Sequence, residues 1–262
     1  MDLGIKDKVA VVTGCASRQG VGWAIAYALA QEGVNVAVTD IDFEGVQLLT
    51  QEMKGMGRKA VALKVDQRIY GEVKQAVAKI NQELGLIDIL VNNAAITSNL
   101  STTKKMPVAA WENEISINLN GSFYWTREVL PSMIQKKWGR IVNISSTAGI
   151  TGMVGQPSYA ASKGGLVAFT KVVAMETAKN GVTCNAISLG MVSTRVYKTG
   201  QFNAEVVERL REGLPMGRMA EPSEVADLAI FLASDRARYM SGANIVFDGC
   251  SSLNTHGSVK PS

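Results

Sequence analysis

Short runs of aliphatic and β-branched residues alternate along this chain with longer stretches whose apolar positions recur every three or four residues. Runs apolar at nearly every position suit strands covered on both faces, whereas a recurrence near 3.6 suits helices that bury one side. Strands are predicted at Val9–Thr13, Asn35–Asp40, Lys59–Val65, Ile87–Asn92, Gly139–Ile144, Val182–Ser188 and Asn244–Phe247. Helices are predicted over Val21–Gln31, Phe43–Met56, Ile69–Leu84, Trp111–Val129 and Ser158–Ala178. One more opens at Pro222, where a missing N–H costs nothing, and runs through Val225, Leu228 and Leu232. Strands alternating with helices predict a doubly wound α/β sandwich with seven parallel strands. Right-handed crossovers bring the strand C-terminal ends to one edge, the place where such sheets bind ligands.

Composition narrows this picture. A chain of 262 residues, 47% hydrophobic, can bury a large core, and no Pro/Ser-rich linker divides it. One domain over 1–250 with a polar tail at 251–262 is expected. The start lacks the apolar stretch of a signal peptide, and no run of about 18 apolar residues occurs, so a cytoplasmic protein without a membrane partner is expected. Cys15, Cys184 and Cys250 are odd in number and far apart, unlike a disulfide framework or a zinc site. With His256 the only histidine, no metal centre and no Ser/His/Asp triad is expected. The net charge of +4 comes from scattered basic residues, which argues against nucleic acid as a partner.

The first strand runs directly into Thr13-Gly14-Cys15-Ala16-Ser17-Arg18-Gln19-Gly20-Val21-Gly22, and a helix follows. Glycines there let the backbone turn sharply and approach a pyrophosphate at the helix N-terminus, which makes this a candidate dinucleotide site in a Rossmann-type fold. Asp40 closes the second strand about twenty residues on, where a carboxylate accepts hydrogen bonds from adenosine-ribose hydroxyls. A 2′-phosphate beside it would cost up to roughly 4 kcal/mol for like charges at about 4 Å, which predicts NAD rather than NADP. Arg18 in the glycine turn could instead meet that phosphate. Asp40 is also a candidate N-cap ahead of Phe43, and Asp66, beside Gln67, could cap the next helix or face the adenine. Asn92-Asn93-Ala94-Ala95 ends the fourth strand with residues suited to close cofactor approach or to a tight turn.

Tyr159 and Lys163 stand four apart in Tyr159-Ala160-Ala161-Ser162-Lys163, so on a helix they share one face. An ammonium beside a phenol stabilises the phenolate and lowers its pKa, which lets Tyr159 exchange a proton near neutral pH. Oxidising an alcohol needs such a base while hydride leaves for a nicotinamide, and the same group is the acid in reverse. Ser146, or its neighbour Ser145, can hydrogen-bond the reacting oxygen from the end of the preceding strand.

From Lys6 to about Leu253 the sequence resembles the short-chain dehydrogenase/reductase family. The resemblance rests on the glycine turn, Asp66, Asn92-Asn93-Ala94, Ile117-Asn118-Leu119-Asn120-Gly121, Gly139-Arg140-Ile141-Val142-Asn143-Ile144-Ser145-Ser146, the Tyr/Lys pair, Asn185-Ala186-Ile187-Ser188-Leu189-Gly190 and Ser241-Gly242 to Asp248-Gly249. It implies that Ser146 rather than Ser145 is catalytic, and that Lys163 also holds nicotinamide-ribose hydroxyls. It implies that Asn118 holds a water connecting Lys163 to solvent, and that Val192 and Thr194, after Gly190, meet the nicotinamide carboxamide. The implied cofactor set is Gly14, Ser17, Arg18, Gly20, Val21, Gly22, Asp40, Asp66, Gln67, Asn93, Ala94, Lys163, Gly190, Val192 and Thr194. Thr147, Ala148, Met153, Gln156 and Arg195 are the expected substrate contacts, within a pocket drawing on residues 96–100, 147–156 and 195–215. A homotetramer is implied as well, with Trp111–Val129, Ser158–Ala178 and the final strand as candidate interfaces.

The sequence departs from the family's pattern in four places. The stretch from Gly14 to Gly20 is two residues longer than usual, Leu189 replaces a usual proline, and Ala95 and Cys250 replace glycines. The expected activity is NAD-linked interconversion of a secondary alcohol and its ketone. A 3-oxoacyl-thioester reductase or hydroxyacyl-CoA dehydrogenase is the alternative. A longer glycine loop is also reminiscent of enoyl-thioester reductases, but those generally place tyrosine and lysine farther apart. A cofactor-binding subunit without turnover would be expected to have lost Tyr159, Lys163 or Ser146.

Overall fold

Successive side chains of a strand point to opposite faces of its sheet, and this chain fills both faces with apolar residues. In β1 (Val9–Thr13), Ala10 and Val12 enter one core while Val9 and Val11 enter the other. The computed structural model describes residues 2–97, 100–194, 197 and 203–253. The remaining strands are β2 (Asn35–Asp40), β3 (Ala60–Lys64), β4 (Ile89–Asn92), β5 (Gly139–Ser146), β6 (Val182–Leu189) and β7 (Asn244–Phe247). They form one parallel sheet in the order β3-β2-β1-β4-β5-β6-β7. The order reverses between β1 and β4, which opens a crevice at their C-terminal ends.

Helices α1 (Val21–Gln31) and α2 (Phe43–Gly55) cover one face, with Ile25, Leu29, Val46, Leu49 and Met53 fully buried. α3 (Tyr70–Glu83) covers the other, as do α5 (Ser122–Lys136) and α7 (Pro157–Thr177), which supply Val73, Ile80, Trp125 and Met133, and Val173. α4 (Val108–Ile115) and the short α6 (Ala148–Thr151) pack against α7. α8 (Ala204–Glu212) precedes α9 (Pro222–Leu232), which joins α1 on the first face. Pro222 occupies the first turn of α9, and Glu221 and Glu224 close a reciprocal capping box around it.

Three differences from the sequence reading have physical causes. The helix expected over Trp111–Val129 is split by a π-helical turn, Ser116–Gly121, between α4 and α5. β6 continues through Leu189 because leucine, unlike proline, keeps the ladder intact there, pairing with Ser146 and Phe247. Ser251–Leu253, read as the start of a polar tail, form a 3-10 turn whose Ser251 hydroxyl and Ser252 amide donate to the Asp248 carboxylate. Residues 254–262 lie outside the described set. Trp111, Phe123, Val172 and Met175, together with Val246 of β7, remain partly exposed on the surfaces expected to meet other subunits.

Candidate active site

The glycine turn leaves β1 with Gly14 at φ +71°, where a Cβ would stand 2.6 Å from the Ala94 Cα. At Gly22 a Cβ would come within 2.3 Å of the Gly14 carbonyl oxygen. Glycine is required at both points by close backbone approach. Gly20 stands at the N-cap of α1 with no side chain to cap it, and the amides of the first turn lack helical acceptors. Such amides, with the positive end of an eleven-residue helix, fit a pyrophosphate.

The two additional residues are taken up by a loop folded onto β2 and α2. The Cys15 amide donates to the Thr39 carbonyl at 3.3 Å, and its buried thiol donates to the Val12 carbonyl at 3.2 Å. Burial pushes that thiol up, which keeps it unreactive. Ala16 rests against Gly45, where a Cβ would be 2.6 Å from the Ala16 Cβ. Its amide donates to Asp40 Oδ2 at 3.0 Å, and the Asp42 amide donates to Oδ1 at 3.2 Å. Asp40 therefore clasps the loop at the end of β2 and does not cap α2. Asp42 is the cap, accepting from the Gly45 amide at 3.2 Å. Arg18 points outward to Glu52 at 3.1 Å and lies 5.9 Å from the Trp23 ring centre.

Asp66 does not cap α3 either, because its carboxylate accepts from Arg68 Nε at 2.9 Å and that fork holds it below the usual carboxylate range. Ile69 occupies the N-cap position of α3. Gln67 donates to the carbonyls of Ala94 at 3.1 Å and Ile117 at 2.7 Å, joining the end of β3 to the end of β4 and to the π turn. Asn93 donates to the Thr13 and Gly14 carbonyls at 2.8 and 2.9 Å, and the Ala94 amide donates to the Thr13 hydroxyl at 3.0 Å. Asn92 turns inward instead, donating to Asn143 Oδ1 at 2.8 Å, and Asn143 donates to the Thr170 hydroxyl at 2.8 Å. Its amide supports the sheet beneath the site, where the sequence had allowed cofactor contact.

Strand alternation separates the two candidate serines at the end of β5. Ser145 is buried and donates to the Lys163 carbonyl at 3.0 Å, a contact that fastens α7 to the strand. Ser146 faces the edge, accepts from the Ala148 amide at 3.2 Å and hydrogen-bonds Tyr159. Pro157 opens α7, so Tyr159 lies in its first turn and Lys163 one turn later, with Nζ 5.7 Å from the phenol ring centre. Lys163 is 3% exposed, and Nζ donates to the Ile144 carbonyl at 2.7 Å. Burial lowers its pKa to about 8.

The expectation that Lys163 draws the Tyr159 pKa down is not met in this structure. Burial pushes the phenol above its ordinary value and outweighs the opposing Ser146 hydrogen bond. The ammonium bonds the Ile144 carbonyl and lies several ångströms from the ring. Tyr159 is accordingly protonated at neutral pH, the form of an acid.

Asn118 lies in the π turn, an irregularity that recurs at functional sites. Its Oδ1 accepts from the Ile96 amide at 2.8 Å, while Nδ2 donates to the Ile96 carbonyl at 2.9 Å and to the Ser162 hydroxyl at 3.2 Å. Glu114, one turn earlier, was not singled out in the sequence. It is 1% exposed, and Oε2 accepts from the Ser158 hydroxyl at 2.6 Å. The available signal was a carboxylate in a helix expected to be apolar, four residues before Asn118.

On the far side, the Gly190 amide donates to Phe247 at 3.0 Å, and a Cβ on Gly190 would stand 2.7 Å from that of Asp248. Val192 bridges to Ala220, and the Thr194 amide donates to Val192 at 2.7 Å, giving a short fixed turn. Of the expected substrate contacts, Ala148 is buried, Thr147 and Gln156 are half-buried, and Met153 is open to solvent. Arg195 lies outside the described residues. A cavity of about 230 Å³ that sequence reasoning missed lies beside this turn, walled by Met191, Leu214, Met216 and Phe247 with Arg218 at its rim. Arg218 is held there by Glu224 at 2.7 Å. Among the described residues no cluster of metal-ligating side chains occurs, and no helix is long and apolar enough to cross a membrane.

A family model described as enoyl-(acyl carrier protein) reductase matches residues 14–251. The 3-oxoacyl-(acyl-carrier-protein) reductase of Aquifex aeolicus is 37% identical over 250 residues, covering 95% of this chain and 99% of its own. The structure of levodione reductase superposes with a TM-score of 0.90 at 30% identity, covering 95% of this chain and 99% of that one. That of a variant actinorhodin polyketide ketoreductase with NADPH superposes with a TM-score of 0.88 at 32% identity, covering 94% and 98%. With these matches spanning the glycine turn, the Tyr159/Lys163 helix and the final strand, the chain belongs to the short-chain dehydrogenase/reductase family, whose members are nicotinamide-dependent oxidoreductases.

Proposed function

We propose that this chain reduces the ketone of a 3-oxoacyl thioester to the 3-hydroxyacyl thioester. The observation that carries the reading is the meeting of Ser146, at the end of β5, with Tyr159 and Lys163, one turn apart on α7, at the C-terminal edge of the sheet. The substrate class comes from the Aquifex aeolicus relative named as a 3-oxoacyl reductase. When bound, the reduced nicotinamide supplies hydride to the carbonyl carbon. Tyr159 gives its proton to the carbonyl oxygen, and Ser146 donates a hydrogen bond to that same oxygen. Lys163, one turn along α7, would hold the nicotinamide ribose. Asn118 ties the Ile96 segment to Ser162 and so fixes the path by which water returns a proton through Lys163. The four-residue step from Tyr159 to Lys163 favours carbonyl over C=C reduction.

The cofactor proposed is NAD(H). Asp40 presents its carboxylate at the end of β2, where a 2′-phosphate would meet repulsion, and Arg18 points outward to Glu52. The related ketoreductase with NADPH supports the opposite choice, which the assay must compare directly. A second reading, interconversion of a simple secondary alcohol and its ketone, is favoured by the likeness to levodione reductase.

The test follows NADH and NADPH absorbance with acetoacetyl-CoA, a cyclic diketone, secondary alcohols and an enoyl-CoA. Thioester reduction is expected to give the highest kcat/KM, and Tyr159→Phe should lower it by about 10²–10⁴-fold. Equal rates in wild type and variant, or turnover of the enoyl-CoA alone, would overturn the reading.

A further inference from the structure

The cavity of about 230 Å³ beside the Gly190–Thr194 turn opens at the same edge of the sheet as Ser146. In the register of the sheet Leu189 pairs with Ser146 on one side and with Phe247 on the other, so Phe247 stands two strand spacings, about 10 Å, from Ser146. Met191 walls the cavity from just beyond the end of β6, and Phe247 and Gly249 wall it from the end of β7. Leu214 and Met216 complete the apolar lining, and Met216 is 60% exposed, so the site holds apolar surface that an occupant would cover. The charged groups at the rim are already engaged within the protein. Arg218 donates to both Glu224 oxygens and to the Met219 carbonyl, and Glu224 also accepts from the Glu221 amide. The Asp248 carboxylate accepts from the Cys250 and Ser252 amides and from the Ser251 hydroxyl. A charged occupant would have to break these bonds to find a partner, whereas an alkyl chain needs none.

We propose that this cavity receives the alkyl end of the substrate, so that the enzyme selects 3-oxoacyl thioesters of medium chain length. The assignment rests on the thioester reading of the reaction and adds the length of the acyl chain to it. With the C3 carbonyl at Ser146, an extended chain advances about 1.3 Å per carbon, given bonds of about 1.5 Å. About four further carbons span one strand spacing and reach Met191, and about eight span two and reach Phe247, which corresponds to acyl chains of about seven to eleven carbons. Met191 and Met216, unbranched and flexible, can close around chain ends of different length.

The test compares 3-oxoacyl-CoA substrates of increasing chain length, from acetoacetyl-CoA upward, in wild type and in Leu214→Trp, which fills the cavity from one wall. In wild type kcat/KM should rise by about fourfold for each methylene that enters the cavity. Leu214→Trp should remove that rise and leave acetoacetyl-CoA, too short to enter, at its wild-type rate. A wild-type kcat/KM that does not rise with length, or a rise that persists in the variant, would overturn the proposal. Should Leu214→Trp fail to fold, Met216→Trp, at a position 60% exposed, decides in the same way. Calorimetric binding of 2-octanone and 2-butanone, with the oxidised cofactor present so that neither turns over, reads the cavity without a thioester. 2-Octanone should bind at least about tenfold more tightly, an advantage that the tryptophan variant abolishes. Equal binding of the two ketones would overturn the assignment even if thioesters are reduced. Failure of every thioester with the ketone difference intact would sink the proposed reaction and leave the alkyl site standing.

Discussion

Replacing Lys163 by methionine should abolish activity without costing stability at neutral pH. The side chain is buried with its pKa lowered from 10.5 to about 8. A drop of that size means that the folded state bears the charge at a cost of about 3 kcal/mol. Methionine, of similar length, removes that cost but leaves the Ile144 carbonyl without its 2.7 Å donor, a loss of about 1–3 kcal/mol. The net at pH 7 lies between about zero and 2 kcal/mol in favour of the variant.

The balance reverses with pH. Because the folded-state pKa is depressed, the unfolded chain binds more protons between about pH 8 and 10.5, so wild type gains stability through that window as Lys163 deprotonates. The variant has no such gain and should be the less stable protein by pH 10.5. Urea unfolding of both proteins at pH 7 and near pH 10, analysed as the difference between them, removes the other groups that titrate there. Turnover at pH 7 should fall by at least about 10²-fold. A variant more than about 2 kcal/mol less stable than wild type at pH 7, or a difference that does not vary with pH, would refute the assignment of a costly buried charge.

Asp40→Ala frees the Ala16 and Asp42 amides and removes the charge at the end of β2. The NADPH-to-NADH ratio of kcat/KM should rise at least about tenfold, and no change in the ratio would remove Asp40 as the discriminating group. Asp235→Ala takes a carboxylate from Arg140, which is 3% exposed and also donates to the Ser234, Gly139 and Gly181 carbonyls. Since Asp235 is itself partly exposed, the loss should be about 2 kcal/mol in denaturant unfolding, with the catalytic rate unaffected.

The sheet and its order of elements were legible because apolar runs buried on both faces leave few alternatives to a parallel sheet. The strand ends were less so. Ser145 and Ser146 lay beyond the predicted end of the fifth strand, yet both stay in β5, where the Ser145 hydroxyl donates to the Lys163 carbonyl at 3.0 Å and Ser146 accepts from the Ala148 amide at 3.2 Å. The Tyr159/Lys163 pair could be read from its spacing. The π turn could not, since its cause is tertiary: Gln67 fills the space above Gly121 and bonds Ile117. The roles of Asp40, Asp42 and Asp66 follow from which amide lies nearest, and the sequence carries no record of that.

The spacing that places Tyr159 and Lys163 on one face of α7 also fixes what stands beside them. Ser158 and Ser162, each one residue earlier, point about a quarter-turn away and meet Glu114 and Asn118. Behind the helix, a Cβ on Gly149 would stand 2.5 Å from the Gly164 amide nitrogen and 2.6 Å from the Lys163 carbonyl carbon, so α6 touches the backbone of α7 directly. Ser145 fastens the same carbonyl from β5. The reacting pair is thus held from four elements, α4, the π turn, α6 and β5. Substitutions at Glu114, Ser145, Gly149 or Ser162 should therefore disturb the chemistry through geometry.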